Sequence, residues 1–124
     1  TILKKIKMKN NVILDNRSHS EFLGTDKRAK YGGAIPGAIH LDWENLYEKN
    51  NGCIKTAIEL QKIFEPLNIS FEQEIILYCN TGYRSAYAYL ALRFLGYKNL
   101  KNYLGSWQEW GNREGLPIWQ PSKD

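Results

Sequence analysis

The stretch Ile75-Ile76-Leu77-Tyr78-Cys79-Asn80-Thr81-Gly82-Tyr83-Arg84-Ser85-Ala86 decides how this chain is read. Its first four residues form a continuous apolar run, the pattern of a strand covered on both faces rather than of a half-exposed one. From Arg84 to Leu95 the chain is apolar nearly all round (Ala86, Tyr87, Leu90, Ala91, Phe94, Leu95) and stops at Gly96, a residue suited to a helix C-terminus, so a central helix is expected there. Strand, tight loop and helix thus follow one another, with Cys79 at the turn. A thiol in that place meets unpaired backbone N–H groups and the positive end of a helix dipole. Both favour the thiolate, which is the nucleophile. Gly82 frees the loop for backbone angles closed to other residues, so that N–H groups can converge into an anion-binding nest, and Arg84 closes the loop with a permanent positive charge. The bland reading is that Cys79 is a small buried hydrophobe, the common fate of a free cysteine. Gly82 and Arg84 at this spacing argue against it.

Working outward, Val12-Ile13-Leu14, Ala38-Ile39-His40-Leu41 and the run from Leu100 to Leu104 give three more strands of the same kind. Three pairs have capping-box spacing, a Ser or Thr three residues before a Glu: Ser18 with Glu21, Thr56 with Glu59, and Ser106 with Glu109. The helix after Thr56 puts Leu60, Ile63, Phe64 and Leu67 on one stripe and ends near Pro66. Strands alternating with helices predict one α/β domain over residues 1–124, with a mainly parallel sheet flanked by helices on both faces and ligands beyond the carboxyl ends of the strands.

Composition narrows the function classes. A chain of 124 residues that is 43% hydrophobic has material for one core. No apolar run approaches the roughly eighteen residues of a membrane span, and no signal-peptide core is visible. The opening Thr1-Ile2-Leu3 lacks an initiator Met, as in a chain cut from a longer protein. Residues 1–30 hold eight Lys/Arg against three Asp/Glu, and the rest nine against ten, so the +4 charge is local. The run Lys4, Lys5, Lys7, Lys9 reads as a solvated face rather than a nucleic-acid site. Two cysteines, Cys53 and Cys79, are too few for a disulfide framework, which favours a reducing, cytoplasmic compartment over a periplasmic one. With His19, His40, Cys53 and Cys79 each more than a dozen positions apart, no metal-ligand spacing exists.

The loop from Cys79 to Arg84, with Ser85-Ala86 behind it, resembles the six-residue Cys-x-x-Gly-x-Arg cradle of rhodanese domains. Leu14-Asp15-Asn16-Arg17-Ser18 is similar to that family's Asp-x-Arg strand end, Ile35-Pro36-Gly37-Ala38-Ile39 to its Ile-Pro-Gly-Ala segment, and Gly96-Tyr97-Lys98-Asn99-Leu100 to its entry into the last strand. The segment Leu104-Gly105-Ser106-Trp107-Gln108-Glu109-Trp110 looks most like the catalytic second half of tandem thiosulfate or mercaptopyruvate sulfurtransferases. Ala34 and Leu104 depart from the His and Asp usual at their places, and Glu21 stands where two-domain members carry an Arg near the substrate.

The resemblance implies a thiosulfate sulfurtransferase working without cofactor. Cys79 takes sulfur from a small anionic donor such as thiosulfate as a persulfide and yields it to cyanide or a thiol. The backbone of Asn80, Thr81, Gly82, Tyr83 and Arg84 holds the charged sulfur. It also implies an N-terminal rhodanese-like domain missing from this sequence. Asp15 and Arg17 have two readings: an ion pair that orders loops, or support in contact with the active site. His40 is expected to be a satisfied core or edge histidine, Cys53 an inert thiol, and Trp107 and Trp110 packing groups. Two rival functions stand. A catalytically silent rhodanese module would bind partners, with the intact Cys79 against it. A phosphatase or arsenate reductase would need a wider Cys-x5-Arg cradle, whereas four residues separate Cys79 from Arg84.

Overall fold

A computed structural model describes residues 11–121 of the protein. The basic run Lys4, Lys5, Lys7, Lys9 lies outside the described residues. Strand β1 (Asn11–Asp15) leads to helix α1 (His19–Leu23) and strand β2 (Ile39–His40). After a 3-10 turn (Trp43–Leu46) come helix α2 (Ala57–Phe64), a second 3-10 turn (Glu65–Leu67) and strand β3 (Glu74–Tyr78). Helix α3 (Tyr83–Leu95), strand β4 (Leu100–Asn102) and helix α4 (Ser106–Trp110) follow.

The strands pair in the order β2-β1-β3-β4, all parallel, with Leu14 beside Ile39 on one side and Leu77 on the other, and Ile75 beside Leu100. Side chains of a strand alternate between faces, and the core divides accordingly. Leu14, Ile75 and Leu77 pack with Leu60, Phe64, Ala88, Ala91 and Leu92 beneath α2 and α3. Ile13, Ile76 and Tyr78 pack with Ile35, Trp107 and Trp110 on the opposite face. Both faces are therefore covered, as the uninterrupted apolar runs predict, and the fold is a single α/β domain with a parallel sheet. Because β1 connects onward to β2 while β3 lies on its other side, the chain diverges at the carboxyl ends of β1 and β3 and leaves a crevice there.

Local signals hold for two of the three caps. Ser18 and Thr56 each accept from the N–H of the Glu three residues on, whose side chain returns to the cap. The third does not form: the cap position of α4 is Gly105, and Ser106 sits at φ 49. The Ser106 hydroxyl donates to Tyr103 O (2.7 Å) and accepts from the Cys79 N–H (3.2 Å), and Glu109 takes a hydrogen bond from the Tyr103 hydroxyl instead. The first helical N–H groups of α4 need no side-chain cap, because Trp107 N–H donates to Cys79 O and Gln108 N–H to Asn80 O, each at 2.9 Å. The expected central position of α3 is also corrected. Ala88, Ala91 and Leu92 face the sheet, while Tyr87, Leu90 and Phe94 are about half exposed or more, so α3 is a surface helix with an apolar outer side. Strands β2 and β4 are shorter than their apolar runs, which continue into loops. Among the described residues no helix is long and apolar enough to cross a membrane.

Candidate active site

Cys79 directly follows β3 and is fully buried, at the crevice between the ends of β1 and β3. Its Sγ lies 3.0 Å from the Gly82 N–H, which donates to it, and 3.5 Å from the Ser85 hydroxyl. Gly82 is at φ 94 and caps α3 with no side chain of its own, so the amides of the first turn remain free to point at the sulfur. A side chain there would have both an unfavourable φ and the Leu104 backbone 3.4 Å away. Burial alone pushes the thiol up. Hydrogen bonds from Ser85 and from the backbone of Ser85, Thr81 and Gly82 outweigh it, and the Cys79 thiol is held below its ordinary value.

Ser85 is itself buried and anchored. Its hydroxyl also lies 2.6 Å from Asn102 Oδ1 and 3.1 Å from Gly82 O, and Asn102 Nδ2 donates to the same carbonyl at 3.1 Å. Asn102 on β4 therefore fixes both the loop and the serine, and Ser106 fixes the Cys79 amide from the other side. Ser85 was visible in sequence as the residue after Arg84. Asn102 carries no local signal and Ser106 only the spacing of a helix cap, because both reach the loop through the pairing of β3 with β4 and the return of α4.

Arg84 does not stand free in the loop. Its two terminal nitrogens donate to the two carboxylate oxygens of Glu21 on α1, at 2.7 and 2.8 Å. The carboxylate is almost wholly buried. Burial raises its pKa, but the hydrogen bonds from Arg84 and Ser18 overcome that and hold it down at about 2. Of the other loop residues, Asn80 keeps a buried Oδ1 without a hydrogen bond, Thr81 is exposed, and Tyr83 stands at the rim, 78% exposed.

Asp15 and Arg17 form a second pair, behind the loop. Arg17 Nε and Nη2 donate to the Asp15 carboxylate (3.0 and 2.7 Å), Nη2 also donates to Gly33 O (2.6 Å), and the guanidinium lies 4.5 Å from the Trp107 ring. The Tyr78 hydroxyl donates to Asp15 at 2.6 Å, so the pair grips the residue before Cys79. Burial and the Asp15 charge hold that phenol well above its usual pKa, keeping it a donor. His40, on edge strand β2, has Nε2 2.8 Å from Arg17 O. Cys53 is an exposed thiol in a turn. Trp107 and Trp110 are buried and donate to Tyr31 O and Pro117 O. Among the described residues no group of three or more His, Cys, Asp or Glu is placed to hold a metal ion.

The chain is similar to known proteins along most of its length. The model of the rhodanese-like domain matches residues 1–113. The sulfur carrier protein TtuD of Thermus thermophilus is 37% identical over 123 residues, covering 92% of this chain and 43% of its own length. A thiosulfate sulfurtransferase of Corynebacterium glutamicum is 39% identical over 115 residues, covering 86% of this chain and 37% of its own. This chain thus spans less than half the length of these relatives. Among solved structures, wild-type EanB superposes with a TM-score of 0.86 at 23% identity, over 97% of this chain and 30% of its own, a likeness of fold alone.

Proposed function

This chain belongs to the rhodanese family of sulfurtransferases and sulfur carriers, and from that premise we propose that Cys79 is the atom-transfer site, moving sulfane sulfur from a donor such as thiosulfate to cyanide or a thiol. The observation that carries this reading is the Cys79 sulfur itself: buried at a strand end, 3.0 Å from a helix N-terminal amide, with its pKa held down by hydrogen bonds from Ser85 and the loop backbone. The thiolate attacks the outer sulfur of the donor. The donor's S–S bond breaks, its electron pair leaves with sulfite, and a Cys79 persulfide remains. An acceptor thiolate or cyanide then attacks the outer persulfide sulfur and releases the Cys79 thiolate. Splitting one transfer into two is covalent catalysis, and the preorganised amides of residues 80–85 stabilise the charge on sulfur without reorganising. Asp15 and Arg17 act one step back, by fixing Tyr78 and the end of β3.

The relatives' length supports a further rhodanese-like domain N-terminal to this one in the whole protein, and the name of the Thermus relative supports a carrier role in which Cys79 holds the sulfur between donor and acceptor. Steady-state kinetics with thiosulfate, mercaptopyruvate, glutathione persulfide and a phosphate ester test the reading. Parallel, ping-pong lines with a sulfur donor and negligible ester hydrolysis are expected. Ester turnover exceeding sulfur transfer would overturn it, and no turnover with any sulfur donor would favour the silent binding module.

A further inference from the structure

The pairing of Arg84 with Glu21 is not required by sulfur transfer. A loop that recruits a dianion by charge would present its cation uncompensated, yet here both terminal nitrogens of Arg84 are spent on a carboxylate that is only 1% exposed. The surroundings do not restore the charge. Arg28 lies 3.8 Å from Glu21 but 3.2 Å from Asp26, and Asp42 also acts on Arg84. Two guanidinium groups thus face three carboxylates, a formal balance of −1 at the mouth of the crevice. Glu21 comes from the segment after β1 and Arg84 from the loop after β3, so the two connections at the switch point supply one charge each.

Thiosulfate brings two negative charges to a thiolate that already carries one. A persulfide anion, RSS⁻, or a thiosulfonate, RSO2S⁻, brings only one and offers the same outer sulfur. We propose that Glu21 is a specificity-determining residue that sets this site for singly charged sulfane-sulfur donors and makes dianionic thiosulfate the poorer one. This rests on Cys79 being the sulfur-accepting atom. In each case the Cys79 thiolate forms a bond to the outer sulfur and the donor's S–S bond breaks. The electron pair leaves on the thiolate RS⁻, the sulfinate RSO2⁻ or sulfite, and no external oxidant or reductant is needed.

Methanethiosulfonate and thiosulfate make a suitable pair of probes, since a methyl group replaces one charged oxygen. Gln at position 21 keeps the shape of the capping box and can still accept one hydrogen bond from Arg84 through its amide oxygen, but carries no charge. In Glu21→Gln, kcat/KM for thiosulfate should rise roughly tenfold and that for methanethiosulfonate roughly threefold, because Coulomb energy scales with donor charge. A gain equal for both donors, or a loss, overturns the proposal. Salt dependence of the wild-type chain gives a second readout that needs no variant. The kcat/KM for thiosulfate should rise several-fold between low salt and about 0.5 M as the repulsion is screened, whereas an unpaired cation would make it fall steeply, and a fall overturns the proposal. Intact-mass measurement of sulfur loading separates the two layers. Loading of Cys79 from both donors with an unchanged donor ratio in Glu21→Gln sinks the role of Glu21 and leaves sulfur transfer standing. Absence of loading from either donor sinks both.

Discussion

Two arginine–carboxylate pairs sit at neighbouring strand ends, and they differ in what surrounds them. Asp15–Arg17 is sealed: both side chains are at most 1% exposed, Arg17 Nη2 also donates to Gly33 O, and Asp15 also accepts from the Tyr78 hydroxyl. Glu21–Arg84 joins a buried carboxylate to a guanidinium that is 24% exposed and belongs to the loop holding Cys79. The first pair is buried from solvent and bonds the Tyr78 hydroxyl, so its effect is mechanical: it holds Tyr78 and thereby the end of β3. The second reaches solvent on its arginine side, so its effect is electrostatic and is felt at the mouth of the site. The same two chemical groups thus support the fold in one place and tune the site in the other, and burial of the cation separates the roles.

The comparison breaks most visibly on stability. Arg17→Met leaves Asp15 buried without its partner and should cost about 3–5 kcal/mol in urea unfolding at neutral pH, against about 2–3 kcal/mol for Glu21→Gln, which keeps the shape but loses the charge and one hydrogen bond to Arg84. Equal costs for the two variants would erase the distinction drawn here.

Acid unfolding sharpens it. The Glu21 carboxyl lies at about 2 in the folded chain against 4.5 for the free group. The unfolded state therefore binds the proton more tightly, so the stabilisation is fully present above about pH 4.5 and is lost as pH falls through about 2. Up to about 3 kcal/mol should disappear over that window in the wild-type chain, and this share of the acid limb should be missing in Glu21→Gln. An unaltered acid limb in the variant would show that the pair contributes nothing on folding.

A smaller effect concerns the thiol itself. Since Ser85 and the loop amides hold Cys79 down, Ser85→Ala should move the inflection of alkylation rate against pH upward, by the loss of one hydrogen bond of about 1–2 kcal/mol. The loop amides remain in that variant, so an inflection that stays put would leave the stabilisation to them and remove the hydroxyl from it.

Much of this was legible in the sequence, and the part that was not has a common cause. The strands around Ile13 and Ile76 are visible because a buried parallel strand is apolar without alternation. The Cys79–Arg84 loop is visible because its parts are adjacent in the chain. What stays hidden depends on residues brought together by the sheet. Glu21 lies 63 positions from Arg84, and its capping-box spacing accounts for it fully without any second partner. Ser106 has capping-box spacing too, but the carbonyls of Cys79 and Asn80 satisfy the helix start, and the hydroxyl is left to serve the Cys79 amide. The outer side of α3 is apolar by composition, so periodicity alone overstated its burial.

The central claim is that Cys79, and not the exposed Cys53, receives sulfur. Incubation with a sulfane-sulfur donor before any acceptor is added, followed by intact-mass and peptide analysis, tests it most directly. The expected result is a gain of one sulfur atom that maps to the peptide containing Cys79, is discharged by cyanide, is absent in Cys79→Ser and is unchanged in Cys53→Ser. Sulfur found on Cys53 alone, or full turnover surviving in Cys79→Ser, would contradict it.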